Sequence, residues 1–224
     1  MKKTILALSI ISSLAFSANA QIKLKSTLDS ISYSIGVNIA RSLQQQSLDS
    51  IDPYIMVKGI NDVFGSRLLD IDEAKGGALI QKYMQETRSK KLNKNKVISE
   101  NFLNENKKRK GVITTASGLQ YEIITKGTGV LPKSTDKVTV HYTGTLIDGR
   151  KFDSSVDRGQ PATFPVTGVI KGWVEALQIM PVGSKWKLFI PSELAYGQNP
   201  QPGGIIEPNM ALIFEVELLK IENQ

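Results

Sequence analysis

The chain has 224 residues, a formal charge of +7 at pH 7 and no cysteine. The lack of cysteine excludes disulfides, thiolate metal sites and thiol nucleophiles, so the fold must rely on a packed core. The single histidine, His141, excludes a multi-histidine metal site, and the length allows one large or two small domains.

The first predicted element is an apolar segment at the N-terminus. Lys2 and Lys3 precede an apolar run from Ile5 to Phe16, and the tripeptide Ala-Asn-Ala at 18–20 has the small-x-small pattern of a cleavage site. We therefore predict residues 1–20 as a secretory signal peptide and an exported mature chain. A membrane anchor is the alternative, but the run is too short to span a bilayer, so no stable membrane insertion is expected.

Residues 21–70 predict two amphipathic helices. The second is predicted to begin at Asp52-Pro53, an acceptor side chain followed by a residue suited to the first turn, and to end at Gly65. Helices this short cannot bury their apolar faces alone, and a second copy of the chain is the simplest partner. Residues 21–70 are therefore predicted to form a homodimer. The first helix has apolar residues at helical spacing: Leu28, Ile31, Ile35, Ile39 and Leu43.

A long connecting helix is predicted over residues 71–110. Asp70 and Glu73 form a capping-box-like pair at its start, and beyond Gln85 its sequence is strongly polar. A helix that is polar on all sides is not a core element, so we predict that it bridges two domains through solvent. The positive charge between Arg88 and Lys110 is interpreted as a solvated helix face, and no nucleic-acid partner is expected.

Residues 111–224 change to a period-two pattern rich in glycine and proline. Alternating apolar residues predict strands near residues 119–123, 138–142, 186–190 and 212–218, and Asp148-Gly149 predicts a hairpin turn. A short helix fits Gly172 to Gln178. The predicted fold class is therefore α+β, with an antiparallel sheet and one short helix in the C-terminal domain, preceded by an all-α N-terminal arm.

The common catalytic constellations are weak in this chain. No helix follows the turn Gly127-Thr128-Gly129, so it does not predict a phosphate site. His141 alternates with core positions of its strand and is predicted to point to the opposite, wetter face. Aromatic residues are concentrated at strand ends and turns, a set that fits either a core or a binding site: Tyr142, Phe152, Phe164, Trp173, Tyr196 and Phe214.

The sequence context of these aromatics resembles one family. The resemblance rests on VHYTGTL at 140–146, DGRKFDSS at 148–155, VIKGW at 169–173, LAYG at 194–197, GIIEP at 204–208 and LIFEVELL at 212–219. These runs resemble the FKBP-type peptidyl-prolyl cis/trans isomerases from about residue 111 to residue 223. In the arm, SYSIG at 32–36 and KGI at 58–60 are similar to the FkpA and macrophage infectivity potentiator (Mip) subgroup.

The resemblance implies an isomerase that assists the folding of exported proteins, with chaperone activity. It implies proline-containing unfolded polypeptides as substrates, macrolides as further ligands, and neither a cofactor nor a metal. The subgroup forms V-shaped homodimers in the periplasm or at the cell surface, so we expect a periplasmic protein, outer-membrane associated or secreted in the alternative. Ala162 stands where small single-domain members often carry an aromatic residue, which implies a pocket more open on one side and weaker macrolide binding.

The resemblance also implies roles for particular residues. Trp173 would form the pocket floor, and Tyr196 and the Ile170 backbone N–H would hydrogen-bond the bound peptide. Asp153 would lie at the pocket edge, oriented by Tyr142 and Arg158. The implied catalytic residues are thus Phe152, Asp153, Trp173 and Tyr196. The implied substrate-binding residues are Tyr142, Arg158, Phe164, Val169, Ile170, Ile205, Ile206 and Phe214, with the two isoleucines at 205 and 206 on an overhanging loop.

Two other classes of function remain as alternatives. The chain could be a holdase chaperone without turnover, or a surface interaction protein built on an inactive isomerase fold. An inactive domain is expected to have lost some of the pocket residues, and Tyr142, Asp153, Trp173, Tyr196 and Phe214 are all present. Their presence favours an active enzyme.

Overall fold

A computed structural model describes residues 23–46, 48 and 50–222. The predicted signal peptide at 1–20 lies outside these residues. The chain divides into two compact units, one reaching Ser42 and the other beginning at Leu43, and each is described by itself. Within the described residues, no helix is both long enough and apolar enough to cross a membrane.

The first helix of the arm, α1 (Thr27–Gln45), confirms the predicted amphipathic segment. A reciprocal cap precedes it: the Asp29 N–H donates to Ser26 Oγ at 3.0 Å, and the Ser26 N–H donates to Asp29 Oδ2 at 3.1 Å. None of the residues of α1 is buried, and its apolar residues Leu28 and Ile35 are 70% and 54% exposed. Much of the apolar face is therefore exposed among the described residues.

The second helix, α2 (Pro53–Phe64), begins and ends where the sequence predicts. The Asp52 side chain accepts hydrogen bonds from the N–H groups of Tyr54 and Ile55, and Gly65 follows as the C-cap. Phe64 is 85% exposed, so this helix also presents apolar surface to solvent.

The long helix α3 (Glu73–Asn106) has 34 residues and is therefore about 51 Å long. Its N-cap is Asp72, whose side chain accepts from the Lys75 N–H, and the prediction of Asp70 as the capping residue is wrong. The Asp70 carboxylate instead accepts a hydrogen bond from Lys58 Nζ at 2.6 Å. The helix ends at Asn106, a few residues before the predicted end at Lys110.

The C-terminal half of α3 is not a solvent-exposed bridge, which corrects the prediction from its polar sequence. Phe102 packs against Phe189 with ring centroids 6.0 Å apart, and the Arg109 guanidinium lies 5.7 Å from the centre of the same ring. The side-chain amide of Asn106 donates to Gln120 Oε1, and Gln120 Nε2 donates to the Leu103 carbonyl. This half of the helix therefore covers the outer face of the C-terminal sheet.

The C-terminal domain is the predicted antiparallel sheet with one helix. The strands and the helix are β1 (Val112–Thr114), β2 (Gln120–Thr125), β3 (Lys137–Leu146), β4 (Lys151–Ser154), β5 (Ala162–Pro165), α4 (Lys171–Ile179), β6 (Lys185–Ile190) and β7 (Leu212–Glu222). The strand order is β1-β2-β6-β7-β3-β4, and β5 pairs with β3 along the same edge as β4. Two short 3-10 turns, Val166–Gly168 and Ser192–Leu194, connect elements near the ends of the sheet.

Helix α4 packs on the inner face of this sheet and completes one hydrophobic core. Its close approach depends on Gly172, because a Cβ there would lie 2.6 Å from Ile190 Cγ2. The predicted alternation of β3 is confirmed: Val140 and Tyr142 are buried, and His141 between them is half-buried with Nδ1 3.1 Å from Ser155 Oγ. His141 thus lies on the face opposite the core.

Candidate active site

An aromatic cluster forms where β3, β4, β5, β7 and α4 meet. The Trp173 ring, 4% exposed, makes edge-on contacts with Tyr142 and with Phe214, both with centroids 5.3 Å apart. Phe152 packs edge-on against Phe214 at 5.4 Å, and Phe164 against Trp173 at 6.2 Å. Five of the six aromatics singled out by the sequence are therefore in mutual contact.

The aromatic walls depend on a glycine that the sequence reasoning did not single out. A Cβ at Gly144 of β3 would lie 2.6 Å from two ring atoms of Phe152 and 2.8 Å from a ring atom of Phe214. Real Cβ contacts are not this close, so only glycine lets both rings pack directly over the strand. The signal in the sequence is a glycine in the middle of a strand, which often marks a close approach.

Three polar side chains border the cluster at its β4 side. The Tyr142 hydroxyl donates to Asp153 Oδ2 at 2.5 Å, and the Arg158 guanidinium donates to the other Asp153 oxygen and, at 2.9 Å, to the Tyr142 hydroxyl oxygen. The guanidinium also lies 5.6 Å from the centre of the Tyr142 ring. The structure therefore brings Asp153, Tyr142 and Arg158 together as predicted from the resemblance.

The ionisation states of this group follow from its contacts. Partial burial opposes the charge on Asp153, but the hydrogen bonds from Tyr142 and Arg158 and the nearby positive charge hold its pKa below its ordinary value of 3.8. Burial first, and then the bond to Asp153, raises the pKa of Tyr142 above its ordinary 10.0. At neutral pH the carboxylate is charged and the phenol is neutral.

Tyr196 lies within electrostatic range of the same carboxylate. Burial first, and the negative charge of Asp153 second, raise the pKa of Tyr196 above 10.0. Its side chain is 45% exposed, and among the described residues its hydroxyl has no hydrogen-bond partner. A neutral phenol that is partly exposed and unpaired is available to donate a hydrogen bond to a ligand.

An open cavity of about 320 Å³ adjoins the cluster. Four predicted site residues line it: Phe152, Tyr196, Ile205 and Ile206. The sequence reasoning missed the other four lining residues, Lys151, Pro200, Gln201 and Gly204. The volume is within the range of small-ligand sites, and the lining combines apolar side chains with a few polar groups.

The remaining predicted residues lie at the start of α4 and along β5. Val169 and Ile170 are half-buried and pack against the core, and Ile170 is the N-cap residue of α4. The Ile170 N–H makes no backbone hydrogen bond to any described residue. Ala162 of β5 is half-buried opposite Val140 and carries only a methyl group at its position.

The site offers binding and orientation rather than covalent chemistry. The Asp153 carboxylate borders the aromatic cluster and is held by hydrogen bonds from Tyr142 and Arg158. No group of histidine, aspartate and glutamate side chains in the described residues could hold a metal ion. Such a pocket fits a reaction that needs an apolar wall and positioned hydrogen-bond donors.

An antiparallel sheet that packs on one short helix, with an aromatic pocket at its edge, defines an FKBP-like domain. Residues 129–219 match the family described as FKBP-type peptidyl-prolyl cis-trans isomerase, and residues 28–123 match the domain amino-terminal to that isomerase. This chain belongs to the FKBP-type peptidyl-prolyl cis-trans isomerases. It is an isomerase of the kind that assists protein folding, as the resemblance implied.

Two curated relatives and one solved structure are similar over most of the chain. The outer membrane protein MIP of Legionella longbeachae is 43% identical over 94% of this chain and 92% of its own length. FkpA of Aeromonas hydrophila is 46% identical over 88% of this chain and 78% of its own length. The crystal structure of FkpA from Escherichia coli matches with a TM-score of 0.67 and 34% identity, covering 89% of this chain and 99% of that chain.

Proposed function

We propose that the pocket around Trp173 rotates X–Pro peptide bonds in exported polypeptides, with Phe152, Asp153 and Tyr196 as the residues that act on the substrate. The proposal rests on one observation: the aromatic cluster around Trp173 borders both the hydrogen-bonded side chains of Tyr142, Asp153 and Arg158 and the open cavity. The cavity is open to solvent on one side, so a polypeptide chain has access to it.

The proposed chemistry is conformational. Resonance gives the peptide C–N bond partial double-bond character and a rotation barrier of about 18–20 kcal/mol. Rotation breaks no covalent bond, so the enzyme must only bind the twisted amide more tightly than either planar form. The twisted amide has lost its polar resonance form, and the apolar walls of Phe152, Trp173 and Phe214 favour that less polar state.

The rim of the pocket holds the peptide while the bond turns. In the proposal, the Tyr196 hydroxyl and the Ile170 N–H donate to carbonyl oxygens that flank the proline, since both donors are unpaired among the described residues. Ile205 and Ile206 contact the side chains beside the proline. Asp153 is oriented by Tyr142 and Arg158 and contributes a fixed negative charge at the pocket edge.

The test of the pocket compares Asp153→Leu with Asp148→Leu. Asp148 is exposed in the turn between β3 and β4, pairs with Arg150 at 2.8 Å and is not among the residues that line the cavity, so it is a matched control. We expect Asp153→Leu to lower kcat/KM for a proline tetrapeptide at least about tenfold, equivalent to 1.4 kcal/mol, and the control to lie within about twofold of the unchanged protein. Equal rates for both variants, each shown to be folded by circular dichroism, would place the catalytic pocket elsewhere.

The arm is proposed to join two chains and to add chaperone activity. The exposed apolar side chains of α1 and α2 support this proposal, because Leu28, Tyr54 and Phe64 are 70%, 85% and 85% exposed in the single chain. Two linked chains present two pockets to one unfolded client, and linked weak sites raise avidity without new contacts. Sedimentation of the full chain as a monomer at micromolar concentration would contradict this part of the proposal.

The exported location is also proposed, from the signal-peptide pattern at 1–20 and from the outer-membrane name of the Legionella relative. Expression with and without residues 1–20, followed by fractionation, tests it, and retention of both forms in the cytoplasm would contradict it.

Macrolides are proposed as weak competitors for the pocket, because Ala162 leaves one side open. Inhibition of tetrapeptide turnover by a macrolide measures that affinity.

A further inference from the structure

A loop between the 3-10 turn at 192–194 and β7 forms one rim of the pocket. We name residues 197–211 the rim loop. Its ends are held close together, since the Asn209 N–H donates to the Gly197 carbonyl at 2.8 Å. The rim loop supplies five of the eight residues that line the cavity: Pro200, Gln201, Gly204, Ile205 and Ile206.

The end of the rim loop that follows Ile206 is tied to helix α3 by two buried polar side chains. Asn95 Nδ2 donates to Glu207 Oε2 at 3.1 Å and to the Pro208 carbonyl at 3.0 Å. Ser99 Oγ donates to the Asn209 carbonyl at 2.9 Å and accepts from the Ala211 N–H at 2.9 Å. Asn95 and Ser99 are each only 6% exposed, so water competes little for these bonds.

Two further bonds complete the connection. Asn209, which has a positive φ of 60°, donates its side-chain amide to the Leu92 carbonyl at 3.1 Å. At the other end of the loop, the Arg88 guanidinium donates to Asn199 Oδ1 at 2.9 Å. The ion pair of Lys91 with Glu207 is 3.4 Å long and partly exposed, so it adds little. The rim loop is thus held at both ends by one helix.

These contacts differ from ordinary helix packing. The buried residues of α3 are Asn95, Ser99 and Asn106, all polar, and the first two bond to the rim loop rather than to the core. A buried polar side chain costs free energy unless its hydrogen bonds are satisfied, so these residues specify one position of the loop rather than adding hydrophobic stability.

We infer that Asn95 and Ser99 are positioning residues of the isomerase site, which hold Ile205 and Ile206 against the substrate through the rim loop. The inference rests on the proposed pocket and adds a role for the connecting helix. A loop fixed in advance loses less conformational entropy when the substrate binds. The gain in affinity is expected for substrates in which the residue before the proline has a side chain large enough to touch the two isoleucines.

The experiment measures kcat and KM of the full chain on two tetrapeptides, one with leucine and one with alanine before the proline. The test variants are Asn95→Ala and Ser99→Ala. Asn93→Ala and Ser89→Ala are matched controls, because both residues lie exposed on the same helix. Alanine is a good helix former, so α3 is expected to persist in all four variants.

We expect each test variant to raise KM for the leucine peptide about three- to tenfold, with kcat within about twofold and a smaller change for the alanine peptide. The leucine-to-alanine ratio of kcat/KM therefore falls, and the controls keep it. A merely structural role would lower kcat for both peptides equally and leave the ratio unchanged, which would overturn the inference. An unchanged KM for both peptides would overturn it as well.

Comparing Asp153→Leu with Asn95→Ala distinguishes a failure of this inference from a failure of the proposed pocket. If Asp153→Leu abolishes turnover of both peptides and Asn95→Ala leaves the ratio unchanged, the positioning role alone is wrong. If Asp153→Leu retains full turnover, the pocket itself is wrongly placed, whatever the ratio for Asn95→Ala.

Discussion

Replacing Gly144 by alanine tests whether the pocket walls depend on the close approach of two rings to β3. The added Cβ would lie 2.6 Å from Phe152 and 2.8 Å from Phe214, whereas unstrained carbon contacts are about 3.5–4.0 Å. Both contacts must therefore lengthen by about 1 Å, through movement of the rings or of the strand beneath them. Phe214 is 5% exposed and enclosed by the core, so β3 is expected to shift away from Phe214, and the half-buried Phe152 is expected to move outward into the cavity.

Two quantities should change in Gly144→Ala. Overpacking of this kind lowers the free energy of unfolding by about 1–3 kcal/mol. A catalytic wall displaced by about 1 Å lowers kcat/KM by about 10- to 100-fold. Denaturant unfolding measures the first quantity, and a tetrapeptide isomerisation assay measures the second.

A glycine with open surroundings provides the control. Gly77 of α3 has no neighbour within 4 Å of an added Cβ, so Gly77→Ala should raise the free energy of unfolding by about 0.4–1 kcal/mol and leave turnover unchanged. If Gly144→Ala keeps the stability and turnover of the unchanged protein, the two rings do not depend on a glycine at this position.

Three further predictions concern charge, capping and the connecting helix. Because the folded pKa of Asp153 lies below 3.8, its hydrogen bonds from Tyr142 and Arg158 persist above that pH and are lost only as the pH falls through the lower folded value. The kcat/KM should therefore be flat from about pH 5 to about pH 9, and a bell-shaped profile would contradict this. Asp72→Ala should lower the stability of α3 by about 1 kcal/mol, and Asp70→Ala by less, as compared by thermal unfolding; equal effects would mean that Asp72 does not cap α3. A fragment of residues 86–224 should turn over tetrapeptides at nearly the full rate. A shorter fragment of residues 111–224 should have its unfolding midpoint at a lower denaturant concentration than the longer one, because Phe189 loses its contact with Phe102. Identical midpoints for the two fragments would show that α3 adds no stability.

Most secondary structure could be predicted from the sequence because local rules determine it. The spacing of apolar residues located α1, the Asp52-Pro53 start located α2, and alternation located the main strands. The start of α3 was misplaced because Asp70 and Glu73 match the capping-box pattern. A contact from Lys58, twelve residues earlier, engages the Asp70 carboxylate instead, and local patterns do not reveal such a contact.

The packing of α3 could not be predicted for a related reason. Asn95 and Ser99 have the composition of a solvent-exposed face, and their partners lie 110 or more residues later in the chain. The candidate pocket residues could be named because the family motifs contain them, and the structure places Tyr142 against Trp173 and Phe152 against Phe214. The domain boundaries at 70 and 110 stay predictions, and the docked half of α3 suggests that the isomerase unit includes it.

The aromatic pocket of this chain is proposed to catalyse prolyl isomerisation. The most direct test is a protease-coupled assay of a proline tetrapeptide with the full chain and with Phe152→Ala, each shown to be folded. We expect a rate that rises in proportion to the concentration of the unchanged protein, and a kcat/KM that is lower by about tenfold or more for the variant. A full chain that does not accelerate isomerisation, or a variant as fast as the unchanged protein, would contradict catalysis by this pocket.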